Sequence, residues 1–457
     1  MAKSDRKSFQ HRTNELLSSI RNHILRGTYK PGDFLPAETA LAEEFHLSKN
    51  SVRLVLENLV EEGLIQKLPR VGNQVTARPA QTTIRFGVYP SLNDEFHINR
   101  LIELFHERYP HIRVETMALP YSHADHIRQL LQFGVVDAVT LNYTDYLHFR
   151  EDDHLHLLES FAPEPDTYPF LHALIAEKDG KVGVRPIIFS PVILCYNKSH
   201  FEKRRVMEPD SSWTWQDLRK ALSQLTEPNR FGLFFHLSST NRWPMFLLQN
   251  DARFVRDEQG MIVPVQGEMM DGLNAIRELV HEEGVFPLVM SFGYQDAEKL
   301  FKQQKASVIL TTYYRLNQLV DAEFPFEIAQ VPRSVNNHTL LLSTGIAVGA
   351  MSPNKEAAVC FSDFLVSEEI QSFIRRNSFS LPASKWVTET VPNELPNKPS
   401  RLEIHREMIP NYAAHNQLQL SIREVEVLGE CLEQYFSLLV DDDGLIAMFN
   451  RQLAQEN

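Results

Sequence analysis

A chain of 457 residues with 43% hydrophobic and 23% charged residues has the composition of a folded protein of two or three domains, which excludes wholesale disorder. Its formal net charge of −13 excludes a surface that is basic throughout. Residues 1–78, however, hold 12 Lys/Arg against 9 Asp/Glu, and the remainder holds 34 against 50, so a mildly basic head sits on an acidic body, as expected when only the head meets phosphates.

The polar start MAKSDRKSFQ lacks the apolar stretch of a secretory signal. No apolar run reaches the roughly 18 residues of a membrane span, so a cytoplasmic location without membrane contact is expected. Cys195, Cys360 and Cys431 are too far apart in sequence for a disulfide framework or a close-spaced zinc pattern. Leu16, Leu17, Ile20 and Ile24 recur at helical spacing and Gly27 stops that helix. KPGDFLP then breaks the chain, and a short helix with Leu41 and Phe45 inward follows. Ser48 is placed to cap a third helix, whose Val52, Val55, Leu56 and Leu59 form one apolar stripe. Arg53 lies on the opposite face, with Lys49, Asn50 and Ser51 at the helix start. LIQKLPRVGNQVTA reads as two short strands around a Pro/Gly turn.

Three helices and a ribbon in this order form an α+β winged helix-turn-helix, whose recognition helix offers its N-terminal side chains to base edges in the major groove. A wing carrying Lys67, Arg70 and Gly72 suits close approach to a phosphate or the minor groove. The stretch I-x-x-G-x-Y-x-P-G-D-x-L-P-A-E-x-x-L-A-E-x-F-x-L-S-x-x-x-V-R-x-x-L-x-x-L-x-x-E-G-L-I at 24–65 resembles the GntR family of bacterial regulators. The resemblance implies DNA contacts from Ser48, Lys49, Asn50, Ser51 and Arg53, with Arg70 and Gly72 in the wing. Thr39 and Lys49 depart from it, standing where the family has arginine.

ARPAQ (77–81) reads as a linker between a head at 1–76 and an effector domain at 82–457. In the latter, IRFGVY (84–89), IRVETMAL (112–119) and VVDAVTLNY (135–143) read as strands alternating with helices, the pattern of open parallel α/β sheets, two of them for so long a segment. PIIFSPVILCY (186–196) reads as a buried strand. VRPIIFSPVILCYNKSHFEK (184–203), SSWTWQDLRKALSQLTEPNRFGLFF (211–235), LFKQQKASVIL (300–310) and STGIAVGAMSPNKEAAVCFSDFLVSEEIQSFI (343–374) resemble, in order, blocks of the family 1 bacterial solute-binding proteins. The resemblance implies a two-lobed α/β domain of the periplasmic-binding class II kind with ligand between the lobes. One lobe is placed at about 82–187 and 333–376, the other at about 188–332 and 377–457. Members of that family are normally exported. The polar N-terminus and the DNA-binding head suggest a cleft kept inside the cell as a sensor, with a small molecule, expected to be a sugar, as effector.

A sugar site needs carboxylates or amides for paired hydroxyls and aromatic faces for the ring. LNYTDYLHF (141–149) ends a strand, where crevice ligands sit, and there the resemblance points to Asp145 with Tyr143. Tyr313, Tyr314 and Arg315 in TTYYR, with Tyr314 favoured as the stacking aromatic, and Asn241 and Trp243 in STNRWP complete the candidate ligand set; Trp243 reads equally as core packing, and Ser190 falls at the hinge. Trp213 and Trp215 read as helix-entry packing. His123 and His126, and the run Glu151–His156, lack a third converging partner, so no metal is expected. No cofactor or enzyme activity is expected either. A GntR-headed aminotransferase would need a Schiff-base lysine in a small-residue setting, an Asn-Pro-x-Gly stretch and an Asp for the ring nitrogen, and the first two are missing. The polar N-terminus opposes a transport receptor, and an architectural DNA binder would differ from a sensor in having a ligand-free body. One winged helix makes few base contacts, so a homodimer on a palindromic double-stranded operator is expected.

Overall fold

The computed structural model describes residues 12–456 except 14, 18, 22, 25–26, 62, 70, 77–80, 121–123, 259, 265–267 and 288–295. In the head, the described residues between 12 and 24 are helical (α1), followed by α2 (Glu38–Glu44) and α3 (Lys49–Glu61). Strands β1 (Ile65–Leu68) and β2 (Gly72–Val75) pair antiparallel. Leu16, Ile20 and Ile24 bury one face of α1 against Leu41 of α2 and Val52, Val55, Leu56 and Leu59 of α3. The spacing of four along α1 and of three and four along α3 is the helical period read from the sequence. Val75 and Ile65 attach the ribbon to this core. Gly72 sits at φ +141, a conformation that L side chains rarely adopt, which is why glycine stands where the wing re-enters its second strand.

The second core is larger and separate. Strands β3 (Thr82–Val88), β4 (Ile112–Ala118) and β5 (Ala138–Asn142) lie parallel with β3 central, and the amphipathic helix Ile98–Arg108 covers them through Ile98, Leu101, Ile102 and Phe105. Then comes β6 (Arg185–Asn197), buried along its whole length. β7 (Phe231–Phe234) follows, then a small ribbon of β8 (Phe254–Arg256) and β9 (Ile262–Pro264). β10 (Ala306–Thr312), β11 (Phe326–Ala329), β12 (Thr339–Val348), β13 (Leu381–Pro382) and β14 (Tyr412–Ala413) complete the strands.

The sheet runs β4-β3-β5-β12-β6-β10-β7. β6 pairs antiparallel with β12 over Arg185–Pro191 and with β10 over Val192–Tyr196, so one strand serves both halves of the body. This corrects the expectation of purely parallel sheets. Each half has parallel neighbours, β3–β5 and β10–β7, but antiparallel β6 and β12 join the halves into one mixed sheet. Strand-helix alternation reports that a strand is present and not its direction. Gly345 lies where the β6–β12 register shifts; a Cβ there would run into the Arg185 carbonyl oxygen. The crossing strands are thus packed at backbone contact.

No helix among the described residues is long and apolar enough to cross a membrane. The three cysteines are buried and form no disulfide.

Candidate functional site

On the head, Ser48 accepts a hydrogen bond from Ser51 N at 3.2 Å, and the two hydroxyls lie 2.7 Å apart. Ser51 is buried, so this capping pair starts α3 while Lys49 and Asn50 stand exposed beside it. Arg53 projects from the exposed face, its Nε donating to Glu38 Oε2 at 2.8 Å. Lys67 and Gly72 are exposed on the ribbon, and Arg70 lies outside the described residues. Val71, at the ribbon turn, is 66% exposed, an apolar tip that basic-residue reasoning passed over.

In the body, a cavity of about 390 Å³ opens at the carboxyl ends of β3, β5 and β10, against Leu342–Thr344 of β12. Parallel strands from the two halves deliver their following turns there, as expected of crevice sites in open α/β sheets. From one half come Tyr89, Ser91, Asp94 and Glu95, with Asn142, Tyr143 and Thr144; from the other come Thr240–Arg242, Thr312, Tyr314 and Arg315. His415 closes one side.

Of the residues expected from sequence, Tyr143, Asn241, Tyr314 and Arg315 line this cavity. Asp145, Trp243 and Tyr313 do not, for three physical reasons. Asp145 is 1% exposed, because helix Tyr143–Glu151 turns it inward, where it accepts a hydrogen bond from the Tyr89 hydroxyl. Its backbone N–H is capped by Asn142 Oδ1 at 2.8 Å. Trp243 packs in the core, fully buried beside Gly429 of helix Ile422–Phe436. Tyr313 turns away to donate to the Leu402 carbonyl at 2.9 Å, while its N–H donates to Ser190 Oγ at 2.8 Å. Ser190 thereby ties β6 to the segment that carries Tyr314 and Arg315. Trp215 donates to Gln249 Oε1 at 2.7 Å and packs on Phe246.

The site is electrostatically mixed. Arg315 Nε lies 3.6 Å from Glu298 Oε2, a carboxylate that also accepts from Thr311 Oγ1 at 2.5 Å. Burial raises the Glu95 carboxyl above its ordinary range, although the Ser91 hydrogen bond and the Arg315 charge pull it down. Arg242 donates to the carbonyls of Asn241 at 2.8 Å and Leu310 at 3.3 Å. The Tyr314 hydroxyl reaches the Ile188 and Leu342 carbonyls at 3.2 and 3.3 Å, anchoring its ring on the crossing strands. His415 is held neutral: burial lowers it to about 4, against the pull of the Thr240 carbonyl 2.9 Å from Nε2. That bond leaves Nδ1 as an acceptor, and Nδ1 has no hydrogen-bond partner among the described residues.

Sequence reasoning missed Tyr89, Asp94, Glu95, Arg242 and His415. The turn after β3 carried a usable signal, a tyrosine and two acids directly beyond a buried strand. His415 carried none, since its chain neighbours belong to a different region. His126 is exposed, His123 lies outside the described residues, and no group of three His, Cys, Asp or Glu among those described could hold a metal ion.

Two family descriptions match the chain: bacterial regulatory proteins of the gntR family over residues 12–75, and bacterial extracellular solute-binding protein over residues 98–372. A putative binding protein of Brucella abortus (strain 2308) is 23% identical over 213 residues, covering 45% of this chain and 52% of its own. The chain thus spans about half the length of the curated binding proteins it matches. The mannosyl-D-glycerate transport/metabolism system repressor MngR of Escherichia coli (strain K12) is 41% identical over 61 residues, covering 13% of this chain and 25% of its own. An ABC substrate-binding protein of Listeria monocytogenes, solved with cycloalternan, superposes with a TM-score of 0.70 at 19% identity, over 82% of this chain and 99% of that one. At that identity the likeness concerns the fold.

Proposed function

The chain belongs to the bacterial extracellular solute-binding protein family and carries a gntR-family DNA-binding head, and from this premise we propose that it is a ligand-responsive transcriptional regulator of the cytoplasm. The cavity takes a small polyhydroxylated solute, a carbohydrate, and its occupancy sets the affinity of the head for an operator. The observation that carries the reading is the cavity itself, on the same chain as the exposed α3 start. Its volume falls within the range of about 300–1,000 Å³ usual for small-molecule sites. Its wall interleaves the rings of Tyr89, Tyr143 and Tyr314 with acids, arginines, two amides and a neutral imidazole. A sugar presents apolar ring faces together with hydroxyls that both donate and accept, which such a wall complements.

On DNA, Ser48, Lys49, Asn50 and Arg53 are the proposed contacts at the α3 start, with Lys67, Arg70 and Gly72 in the wing. Within the ligand site, Tyr143, Asn241, Tyr314 and Arg315 are proposed to touch the effector, with Asp145 acting through Tyr89. Two heads on a palindrome gain affinity through effective concentration, so the proposed binding unit is a homodimer.

The test is a thermal-shift screen of the full chain against mono- and oligosaccharides, followed by a mobility-shift assay with the stabilising sugar. Stabilisation by a sugar that also changes operator affinity is the expected result. Sugars that leave both quantities unchanged would remove the carbohydrate assignment.

A further inference from the structure

Helix Tyr143–Glu151 begins in the cavity wall and ends against a second helix, Ile422–Phe436. At that end His148 Nε2 lies 3.1 Å from Glu426 Oε1. Arg423 donates to Asp152 Oδ2 at 2.9 Å, and Ile422 N donates to Glu151 Oε2 at 2.8 Å. Burial disfavours the His148 imidazolium, but the Glu426 carboxylate outweighs it and holds this histidine above its ordinary range.

The two helices belong to different halves of the body. The first leaves β5. The second is bound to the other half: Gly429 faces Trp243, Glu424 pairs with Arg256, and the Tyr435 hydroxyl hydrogen-bonds Asn274. The second helix is also preceded by the turn His415–Leu418, and His415 lines the cavity. Each segment therefore holds cavity wall at one end and seam charges at the other, so separating the helices widens the cavity and breaks the seam in one movement. We propose that the seam formed by His148, Glu151 and Asp152 with Ile422, Arg423 and Glu426 is an electrostatic latch that holds the cleft closed before ligand arrives. This rests on reading the cavity as the ligand site. A second cavity of about 550 Å³ opens beside the seam, so water and salt reach these charges and weaken the latch by screening.

Distance measurement by pulsed electron spin resonance tests the latch on the full chain without any ligand. Phe133 and Leu439 are 75% and 73% exposed and follow helices of the two halves. The native cysteines are all buried, so labels go to cysteines introduced at those two positions. Arg423→Asp sets two like charges facing each other and should shift the distance distribution to longer, broader values. Asp152→Arg combined with Arg423→Asp should restore it, which a merely structural role would not do. Glu426→Gln, a milder change, should give a smaller shift in the same direction. A distribution that Arg423→Asp and Glu426→Gln leave in place, or that the reversed pair fails to restore, overturns the latch. Because no ligand enters the measurement, this outcome is independent of whether a sugar binds.

Discussion

Arg53 of α3 donates from Nε to Glu38 Oε2 of α2 at 2.8 Å, with the arginine side chain still 54% exposed. An exposed pair of this kind contributes only about 0–1 kcal/mol to stability, yet it fixes the direction in which the guanidinium leaves the helix. Arg53→Ala should therefore cost about 1–3 kcal/mol at the cognate operator, while Glu38→Ala should cost less and leave the fold intact. Lys67→Ala should weaken all sequences alike and lower the salt slope by about one phosphate. Fluorescence anisotropy with operator and scrambled duplexes at several salt concentrations reads all three. Operator binding by Arg53→Ala equal to that of the parent would remove this face of α3 from base recognition.

The cavity makes a separate prediction, since none of its residues belongs to the head. Arg315→Ala should leave Glu298, 2% exposed, with a buried carboxylate short of its cation. Loss of a charged hydrogen bond to the ligand costs about 1.5–3 kcal/mol, so affinity should fall roughly tenfold to a hundredfold. Glu95→Gln and Asn241→Ala should act in the same direction. Asp145→Asn should weaken binding less, because its buried carboxylate reaches the ligand wall through the Tyr89 hydroxyl. Calorimetric titration with the sugar found by screening checks the order. An Asp145 effect larger than that of Arg315 would mean that Asp145 touches the ligand.

Much of this site was legible in its segments and not in its side chains. The 3.6-residue spacing of Val52, Val55, Leu56 and Leu59 is enough to orient α3, because a helix that buries one stripe must expose the opposite one. TTYYR marks a turn at a strand end and favours Tyr314 over Tyr313, but the contacts that turn Tyr313 away come from Ser190 and Leu402, residues distant in sequence. Trp243 is buried beside Gly429, a residue nearly two hundred positions further along the chain. His415 reaches the cavity only because the chain returns to the site after β14. Local pattern carries periodicity and turn chemistry; it cannot carry contacts set by the return of a remote segment.

Two buried histidines predict acid sensitivity. His405 and His415 are 0% and 1% exposed, and burial lowers them to about 3 and about 4, with the neighbouring Arg375 charge adding to the effect at His405. In the unfolded chain both take up a proton near pH 6.5. Their folded pKa values are depressed, so the unfolded state binds more protons below that pH. Their contribution to stability is therefore complete above about pH 6.5 and is lost as pH falls towards 4, by up to about 1.4 kcal/mol per pH unit for each histidine. The melting temperature of the parent should fall between pH 7 and pH 5, and His405→Gln should flatten that slope. Equal slopes for parent and variant would mean that His405 is protonated in the fold.

Gly345 gives a prediction about the crossing strands. Any Cβ placed there runs into the Arg185 carbonyl oxygen and meets a Val184 methyl at 2.8 Å, so Gly345→Ala must push β12 from β6. Overpacking of this kind costs about 1–3 kcal/mol. The effect should reach the cavity as well as the melting temperature, because Leu342–Thr344 just before this glycine form part of its wall. Unchanged stability would show that the crossing strands yield without cost.

Whether the cavity governs the head is decided by reciprocity. A ligand changes operator affinity only if it interacts differently with the two conformations of the protein, and such couplings are typically about 1–3 kcal/mol. The operator must then change sugar affinity by the same factor and in the same direction, since both describe one thermodynamic cycle. Titrating the full chain with the effector sugar, alone and saturated with operator duplex, measures one side; titrating operator with and without sugar measures the other. Two equal factors of roughly five to a hundred and fifty are expected. Arg315→Ala, at sugar concentrations that no longer fill its site, should abolish the sugar's effect on DNA while operator binding without sugar stays at the parental value. Sugar affinities that are identical with and without operator would mean that the two domains share a chain and no free energy, and the sensor reading would fail even if sugar and DNA each bound tightly.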